Sequence, residues 1–154
     1  MQRDYEHTQH SPLWLVLALP IAAGLVTSAV AEDAGLRYAA VGFAALFAWL
    51  VASFATLTVR DVGDRLDVRF GPLPLFGTKV RYADVEGVEV ARSRLIDGWG
   101  IHWVPGRGWT FNLWGFDCVE VTTPKGIVRI GTDEPEELAR FLAHRVAVTG
   151  TTPG

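Results

Sequence analysis

The sequence predicts an α+β fold: an N-terminal transmembrane helical hairpin, then an antiparallel β-sandwich or partly open barrel, then a C-terminal helix. Three observations predict it. Two long uncharged segments lie near the N-terminus, short segments with a two-residue hydrophobic period follow, and one amphipathic segment closes the chain. A chain of 154 residues holds one ordinary domain and a small addition, and a hydrophobic content of 49% is high for a soluble protein.

The uncharged segments, residues 12–31 and 38–57, each run for twenty residues, about the length that crosses ~30 Å of hydrocarbon. A chain this short cannot enclose two uncharged helices on all sides, so we expect both to insert into a membrane. A cleavable signal peptide is the alternative for the first segment, because "AVA" at 29–31 has the form of a cleavage site. The acidic N-terminal region and the length of the apolar run favour retention.

Basic residues predict the orientation of the hairpin. The link "EDAGLR" contains one arginine, whereas Arg60, Arg65 and Arg69 closely follow the second segment, and basic residues concentrate on the cytoplasmic side. We therefore expect an inner (plasma) membrane protein with two spans and both termini in the cytoplasm.

The single cysteine, Cys118, agrees with a reducing compartment. The expected division is a cytoplasmic tail at 1–11, the hairpin at 12–57, a β domain with its helix at 58–147 and a flexible tail at 148–154.

Small residues recur one helical turn apart in both spans, which lets helix backbones approach closely in a membrane. Packing within the hairpin accounts for this pattern, and a seam between two copies of the chain is the alternative. Neither span contains a charged side chain, so no proton or ion path is indicated. The expected packing residues are Ala40, Ala44, Ala48, Ala52, Gly24 and Ser28.

From Thr58 onward the hydrophobic period changes to two, which is typical of half-buried strands. In "RLDVRF" at 65–70, three apolar residues alternate with three charged residues. The segment "DVGD" at 61–64 predicts a turn before this strand, and "GPLPLFG" interrupts the pattern after it. Short strands at this spacing favour a sandwich or barrel. Predicted strands are 56–60, 65–70, 79–85, 87–92, 100–104, 109–114, 117–123 and 126–131.

The closing helix is predicted to begin near Asp133, whose carboxylate can accept hydrogen bonds from first-turn amides. Glu136 completes a capping-box-like pair with it, and Pro135 is tolerated because first-turn amides lack partners within the helix. The predicted apolar face consists of Leu138, Phe141, Leu142 and Val146.

This order of elements, with "VRYADVEGVEV" at 80–90 in its middle, resembles the bacterial pleckstrin-homology-like (PH-like) membrane proteins. The resemblance covers roughly residues 12–147 and is one of architecture more than of motif. It implies a non-catalytic module that binds or scaffolds proteins at the membrane. Lipid-headgroup recognition is the alternative, although phosphoinositide-binding relatives place basic side chains at the first hairpin turn, and "DVGD" has two carboxylates there. A small membrane enzyme is a more distant alternative.

The charged and metal-ligating residue types indicate no catalytic or metal chemistry. From Thr58 to the end there are 12 basic and 13 acidic side chains, so we expect no nucleic-acid partner. The four histidines have no partners at metal-ligand spacing, and we expect neither a metal nor a cofactor. Asp117 and Cys118 are adjacent on a strand and face opposite ways, which argues against a thiol nucleophile and for a buried cysteine. The partners we expect are the lipid bilayer and a protein or a second copy of this chain.

The stretch "DGWGIHWVPGRGWTFNLWGFD" at 97–117 contains four of the six tryptophans. Pairing across "PGRG" would place Trp103 opposite Thr110 and Val104 opposite Trp109. Trp109 would then belong to the core face, and the other face would mix aromatic and polar groups, as binding surfaces do. Burial of both faces is the alternative. The expected partner contacts are Ile101, Trp103, Thr110, Asn112 and Trp114.

Overall fold

Two helices, two β-sheets and a C-terminal helix make up the mixed α+β structure of residues 5–12, 14–73, 75–93 and 99–150, the part of the chain that this computed structural model describes. Neither sheet closes into a barrel within these ranges. The α+β class is confirmed. The helices are α1 Trp14–Val30, α2 Ala34–Ser53 and α3 Pro135–Gly150, and the strands are β1 Glu6–His10, β2 Thr56–Asp61, β3 Arg65–Gly71, β4 Gly77–Arg81, β5 Gly87–Arg92, β6 Gly100–Val104, β7 Gly108–Asn112, β8 Asp117–Thr123 and β9 Gly126–Gly131.

A strand precedes the helical hairpin. β1 pairs antiparallel with β2, with His10 opposite Thr56, so α1 and α2 are inserted between two neighbouring strands of one sheet. The Ser11 N–H donates to the Ala55 carbonyl at 3.1 Å, which extends the ladder to the start of the hairpin. Residues expected in a tail are therefore part of the β domain. β1 has the polar sequence "EHTQH", and a polar edge strand shows no hydrophobic alternation that a sequence reading could recognise.

The link between the helices is shorter than the six residues expected. The Asp33 carboxylate caps α2 by accepting from the Leu36 N–H at 2.7 Å, so α2 begins at Ala34. Arg37 lies in the first turn of α2 and donates to the Ala31 carbonyl at 2.8 Å. At its other end α2 stops before residues 56–57, which belong to β2 rather than to the second span.

The two hairpin helices touch through small residues. A Cβ placed on Gly24 would lie 3.0 Å from the Ala44 Cβ and 3.0 Å from the Ala40 carbonyl oxygen. Ala48 is exposed, because four-residue spacing rotates by roughly 40° per step and leaves the contact face after two steps. Ala52 and Ser28 are half-buried.

By length and composition, α2 is the one helix among the described residues that could cross a membrane, with 20 residues. α1 is also apolar but has 17 residues in the structure. Both helices turn large apolar side chains outward, and Leu19 and Val30 are 69% and 73% exposed. Such a surface would be unusual in contact with water.

The first sheet has the order β1-β2-β3-β4 and is antiparallel throughout. The second has the order β5-β8-β9-β7-β6, and its β7 runs parallel to β9. The prediction of an antiparallel β domain is wrong at this pair, because the β6–β7 hairpin joins the sheet beside β9 instead of β5. The core lies between the inner faces of the sheets and includes Leu66, Val68, Phe70, Val119, Val121 and Ile130.

α3 packs across this core with Leu138 and Leu142 fully buried, and Phe141 and Val146 lie at the margin. The predicted apolar face is therefore confirmed. The helix continues to Gly150, so residues 148–150 are helical rather than part of a flexible tail. Residues 151–154 of that tail lie outside the described part of the chain.

The N-terminus of α3 differs from the predicted capping box. The Thr132 hydroxyl accepts a hydrogen bond from the Glu134 N–H at 3.1 Å, and α3 begins at Pro135. The Asp133 carboxylate instead lies 2.5 Å from His7 Nε2 on β1. Asp133 thus joins the helix to the N-terminal strand, a partner that sequence reasoning had left outside the domain.

Candidate binding site

The β6–β7 hairpin pairs one residue out of the predicted register. Trp103 lies opposite Trp109, and Ile101 lies opposite Phe111. Pro105 and Gly106 form a type II turn, in which Gly106 has a φ of 75° and the Arg107 N–H donates to the Val104 carbonyl at 3.0 Å. Gly108 then belongs to the strand, and the loop has three residues instead of four. A shift of one residue turns the two sides of one strand over relative to the other, so each predicted face combines the wrong residues of β6 and β7.

The structure separates the expected partner contacts into two groups. Trp103 is 57% exposed, Trp114 is 36% exposed and Ile101 is half-buried. Thr110 and Asn112 are fully buried on the opposite face of the hairpin, where no partner could reach them. Trp109, which we expected in the core, is 48% exposed on the same face as Trp103.

Trp103 and Trp109 lie at the turn end of the inner face of β6 and β7, where they are exposed, whereas Phe111 on the same face is buried in the core. Between the two sheets lies a cavity of about 360 Å³. We call this cavity, together with Trp103 beside Trp109, the aromatic groove. Its lining consists of Leu75 and Phe76 from the loop before β4, Gly77 and Thr78 from β4, and Ile101, Trp109, Phe111 and Val128 from the second sheet.

A second apolar cavity, of about 400 Å³, lies where the α1–α2 helical hairpin meets the second sheet. We call it the junction cavity. Ile101 lines both cavities, so the two are adjacent. The Trp99 indole N–H donates to the Gly115 carbonyl at 3.3 Å, and its ring lies 4.7 Å from that of Trp114, which fixes one wall. The lining consists of Trp14, Leu17, Leu50, Val51 and Phe54 from the helical hairpin and its end and of Trp99, Gly100, Ile101 and Leu113 from the β domain.

Hydrogen bonds from buried polar side chains fix the position of the β6–β7 hairpin. Arg129 on β9 is 6% exposed, donates to Glu120 at 2.6 Å and also donates to the carbonyl of Arg107 in the β6–β7 turn. The Asn112 amide donates to the Gly115 carbonyl at 3.0 Å. These bonds give Asn112 and the β6–β7 turn a structural role.

The outer face of β1, β2 and β3 forms a polar concavity of about 490 Å³. Buried Asp67 lies at its floor, where Arg69 donates to it at 2.5 Å and Arg65 donates to it at 3.2 Å. Burial would raise the pKa of the Asp67 carboxyl, but the two arginines outweigh burial and hold that pKa below its ordinary value. Both guanidinium groups are therefore already engaged by an internal carboxylate.

The turn "DVGD" does not present two carboxylates to solvent. The Asp61 side chain is buried and accepts hydrogen bonds from Arg145 of α3 and, at 2.8 Å, from the Tyr82 hydroxyl. The Asp64 carboxylate remains outside and lies 3.2 Å from Arg65. The argument that this turn repels polyanions through both acids is therefore wrong for Asp61.

The described residues include no group of three histidine, cysteine, aspartate or glutamate side chains that could hold a metal ion. Cys118 is fully buried, and the Ser93 hydroxyl lies 3.5 Å from its sulfur. Asp117 faces solvent beside Arg92, at 3.2 Å, so the neighbouring residues do face opposite ways. The buried cysteine was predicted correctly.

Comparison with known proteins finds no family model and no curated protein that matches this chain. The resemblance to PH-like membrane proteins therefore remains a prediction from the order of the elements. The aromatic stretch was located from the sequence, but Leu75 and Phe76, which line the groove from the loop before β4, were not. Apolar residues in the turn-forming segment "GPLPLFG" were the available signal, since a solvated loop has little reason to carry them.

Proposed function

We propose that this chain is a membrane-anchored binding module without catalytic activity. In this proposal α1 and α2 lie in the inner membrane, the β domain faces the cytoplasm, and the aromatic groove binds a partner protein. The observation that carries the proposal is the turn end of the inner face of β6 and β7, where Trp103 and Trp109 are about half exposed.

Membrane anchoring is supported by the outward-facing apolar surface of the hairpin. In water this surface would favour aggregation, whereas in a bilayer it matches the lipid tails. β1 enters α1 and α2 leads into β2, so the β domain lies at the end of the hairpin that carries both connections. Basic residues on β2 and β3 favour the cytoplasmic side for that end.

The four-stranded sheet, the second sheet and the closing helix support a PH-like architecture. β1 and the parallel pairing of β7 with β9 depart from the antiparallel pattern that the resemblance implies. Trp109 and Phe111 of the aromatic groove belong to β7, so the proposed site includes the strand whose pairing departs from that pattern.

The occupant we propose for the groove is an extended apolar segment of a partner. Within the described ranges, β4 and β6 each pair with one neighbour, and both contribute residues to the lining of the groove, so each of these strands has an unpaired edge. Open edges accept an added strand through backbone hydrogen bonds, and pockets beside them select apolar side chains. Exposed tryptophans next to such pockets commonly contribute most of the binding energy.

Headgroup recognition at the polar concavity is the second candidate, since Asp61 no longer opposes it. Arg65 and Arg69 are held by Asp67, however, and Arg60 lies 3.5 Å from Glu6, so a phosphate would have to displace internal partners. This competition favours the protein-binding proposal.

The test is copurification of the full chain in mild detergent, with bound proteins and lipids both identified. Proteins that accompany the wild type should be lost from Trp103→Ala and from Trp109→Ala. Both side chains are about half exposed, so each change should cost clearly less stability than the ~3–5 kcal/mol typical of a buried large aromatic. This replaces our expectation that Trp109 is a core residue.

Phe116→Ala is the matched control, because Phe116 is an exposed aromatic, at 37%, outside the lining of the groove. It should retain every partner. Identical proteins with all four chains would rule out the groove as the binding site. Loss of a specific lipid instead of a protein would favour headgroup recognition, and loss of a second copy of the chain would identify the partner as the protein itself.

A further inference from the structure

The junction cavity contains almost nothing that a polar ligand could bind. Its lining side chains are apolar or aromatic, and Gly100 contributes none. One of its two indole N–H groups, that of Trp99, is already hydrogen-bonded to Gly115. Apolar cavities of about 150 Å³ exclude water and accept hydrocarbon ligands, so a cavity of about 400 Å³ with this lining has room for a longer hydrocarbon chain.

The junction cavity lies at the end of the helical hairpin that would face the membrane surface. Trp14 and Leu17 belong to the first turns of α1, and Leu50 and Val51 belong to the last turns of α2. These are the ends at which an inserted hairpin would leave the hydrocarbon, and tryptophan favours that depth. The opposite wall, with Ile101 and Leu113, belongs to the β domain.

We infer that the junction cavity holds an acyl chain of a phospholipid from the surrounding bilayer. The inference rests on the membrane insertion proposed above. A protein segment would bring backbone N–H and C=O groups that the lining side chains cannot satisfy, whereas an acyl chain brings none. The chain would enter between the helix ends and lie against Ile101 and Leu113, so the lipid would fix the β domain to the hairpin as well as to the membrane.

Photolabelling of the full chain in vesicles tests this inference. The vesicles contain phosphatidylethanolamine, part of which carries a diazirine midway along one acyl chain, and labelled peptides are identified by mass spectrometry. We expect label on outward-facing helix residues such as Leu19 and also on Ile101 and Leu113, which lipid around an inserted hairpin would not otherwise reach.

A variant that fills the cavity distinguishes binding inside it from contact outside it. Val51 lines the cavity, and Val51→Trp should abolish labelling of Ile101 and Leu113 while labelling of Leu19 persists. Val41→Trp is the matched control, because Val41 lies on the same helix, is 47% exposed and does not line the cavity. If Val51→Trp fails to fold, Leu17→Trp fills the same cavity from α1.

The outcomes separate this inference from the function it rests on. Label on the helices without label on Ile101 and Leu113 would overturn the acyl-chain site and leave the membrane anchor intact. Label on those two residues that persists in Val51→Trp and in Leu17→Trp would also overturn it, because the lipid would then lie outside the cavity. Absence of label from the helices themselves would overturn membrane insertion and the acyl-chain site together.

Discussion

The Asp61 carboxylate joins three parts of the β domain. It accepts hydrogen bonds from the Gly63 N–H and the Tyr82 hydroxyl, each at 2.8 Å, and from the Arg145 guanidinium. The guanidinium carbon also lies 5.7 Å from the centre of the Tyr82 ring and 5.6 Å from that of Phe141. Asp61 and Arg145 are both buried, so a matched ion pair holds α3 against the first sheet.

Removal of Arg145 should leave a buried carboxylate without its charge partner. We expect Arg145→Met to lower the free energy of unfolding by about 3–5 kcal/mol, as breaking one side of a buried pair does. Arg140→Met, on an exposed position of the same helix, should change it by less than about 0.5 kcal/mol. Thermal and denaturant unfolding of the detergent-solubilised chain measures both, and equal effects would show that the ion pair contributes nothing specific.

The Asp61 carboxylate should make the stability of the fold depend on pH in the acidic range. Burial would raise the pKa of Asp61, but the hydrogen bonds from Gly63, Arg145 and Tyr82 outweigh burial and hold that pKa below its ordinary value. A lowered pKa stabilises the fold above the ordinary value, about 4, and this contribution is lost as the pH falls below that value. Unfolding scans between about pH 5 and pH 2 should therefore show a smaller loss of stability in Asp61→Asn than in the wild type.

At the scale of elements, the hydrophobic pattern of a segment predicted its secondary structure, but it did not predict how neighbouring strands pair. The alternation in "RLDVRF" located β3 to within one residue, because successive side chains of a strand face opposite sides. In the observed register of the β6–β7 hairpin, Gly108 approaches β9 so closely that a Cβ there would overlap the Ile127 carbonyl oxygen. That approach is a contact with a distant strand. Turn residues alone therefore could not reveal it, and the aromatic face was assigned wrongly.

Close contact between α1 and α2 should depend on Gly24. A valine there would meet the backbone of Ala40 and the Cβ of Ala44 at 3.0 Å, so Gly24→Val should destabilise the hairpin by about 1–3 kcal/mol. Gly42→Val, also in the interior of a hairpin helix, has open space within 4 Å and should be tolerated. Thermal unfolding of the two variants in detergent gives the comparison, and equal melting temperatures would show that the helices do not pack through Gly24.

At the scale of the whole molecule, the binding surfaces join residues far apart in the sequence. The junction cavity brings Trp14 beside Leu113, and the aromatic groove brings Phe76 beside Trp109. The composition of each segment is visible in the sequence. The sequence does not show that β1, which precedes the helical hairpin in the chain, forms an edge strand of the first sheet. The domain boundary predicted at residue 58 accordingly falls inside β2.

The position of β1 predicts how the chain can be made soluble. Because the Ser11 N–H bonds to the Ala55 carbonyl, an Asn-Gly turn in place of residues 12–54 would close a two-residue β-hairpin between β1 and β2. We expect this shortened chain to be soluble and to retain both sheets, measured by size-exclusion chromatography and circular dichroism. A chain that begins at residue 58 should aggregate, since it lacks β1 and the first two residues of β2. If the two shortened chains fold equally well, β1 is dispensable, and if neither folds, the hairpin is a structural part of the β domain instead of an anchor inserted into it.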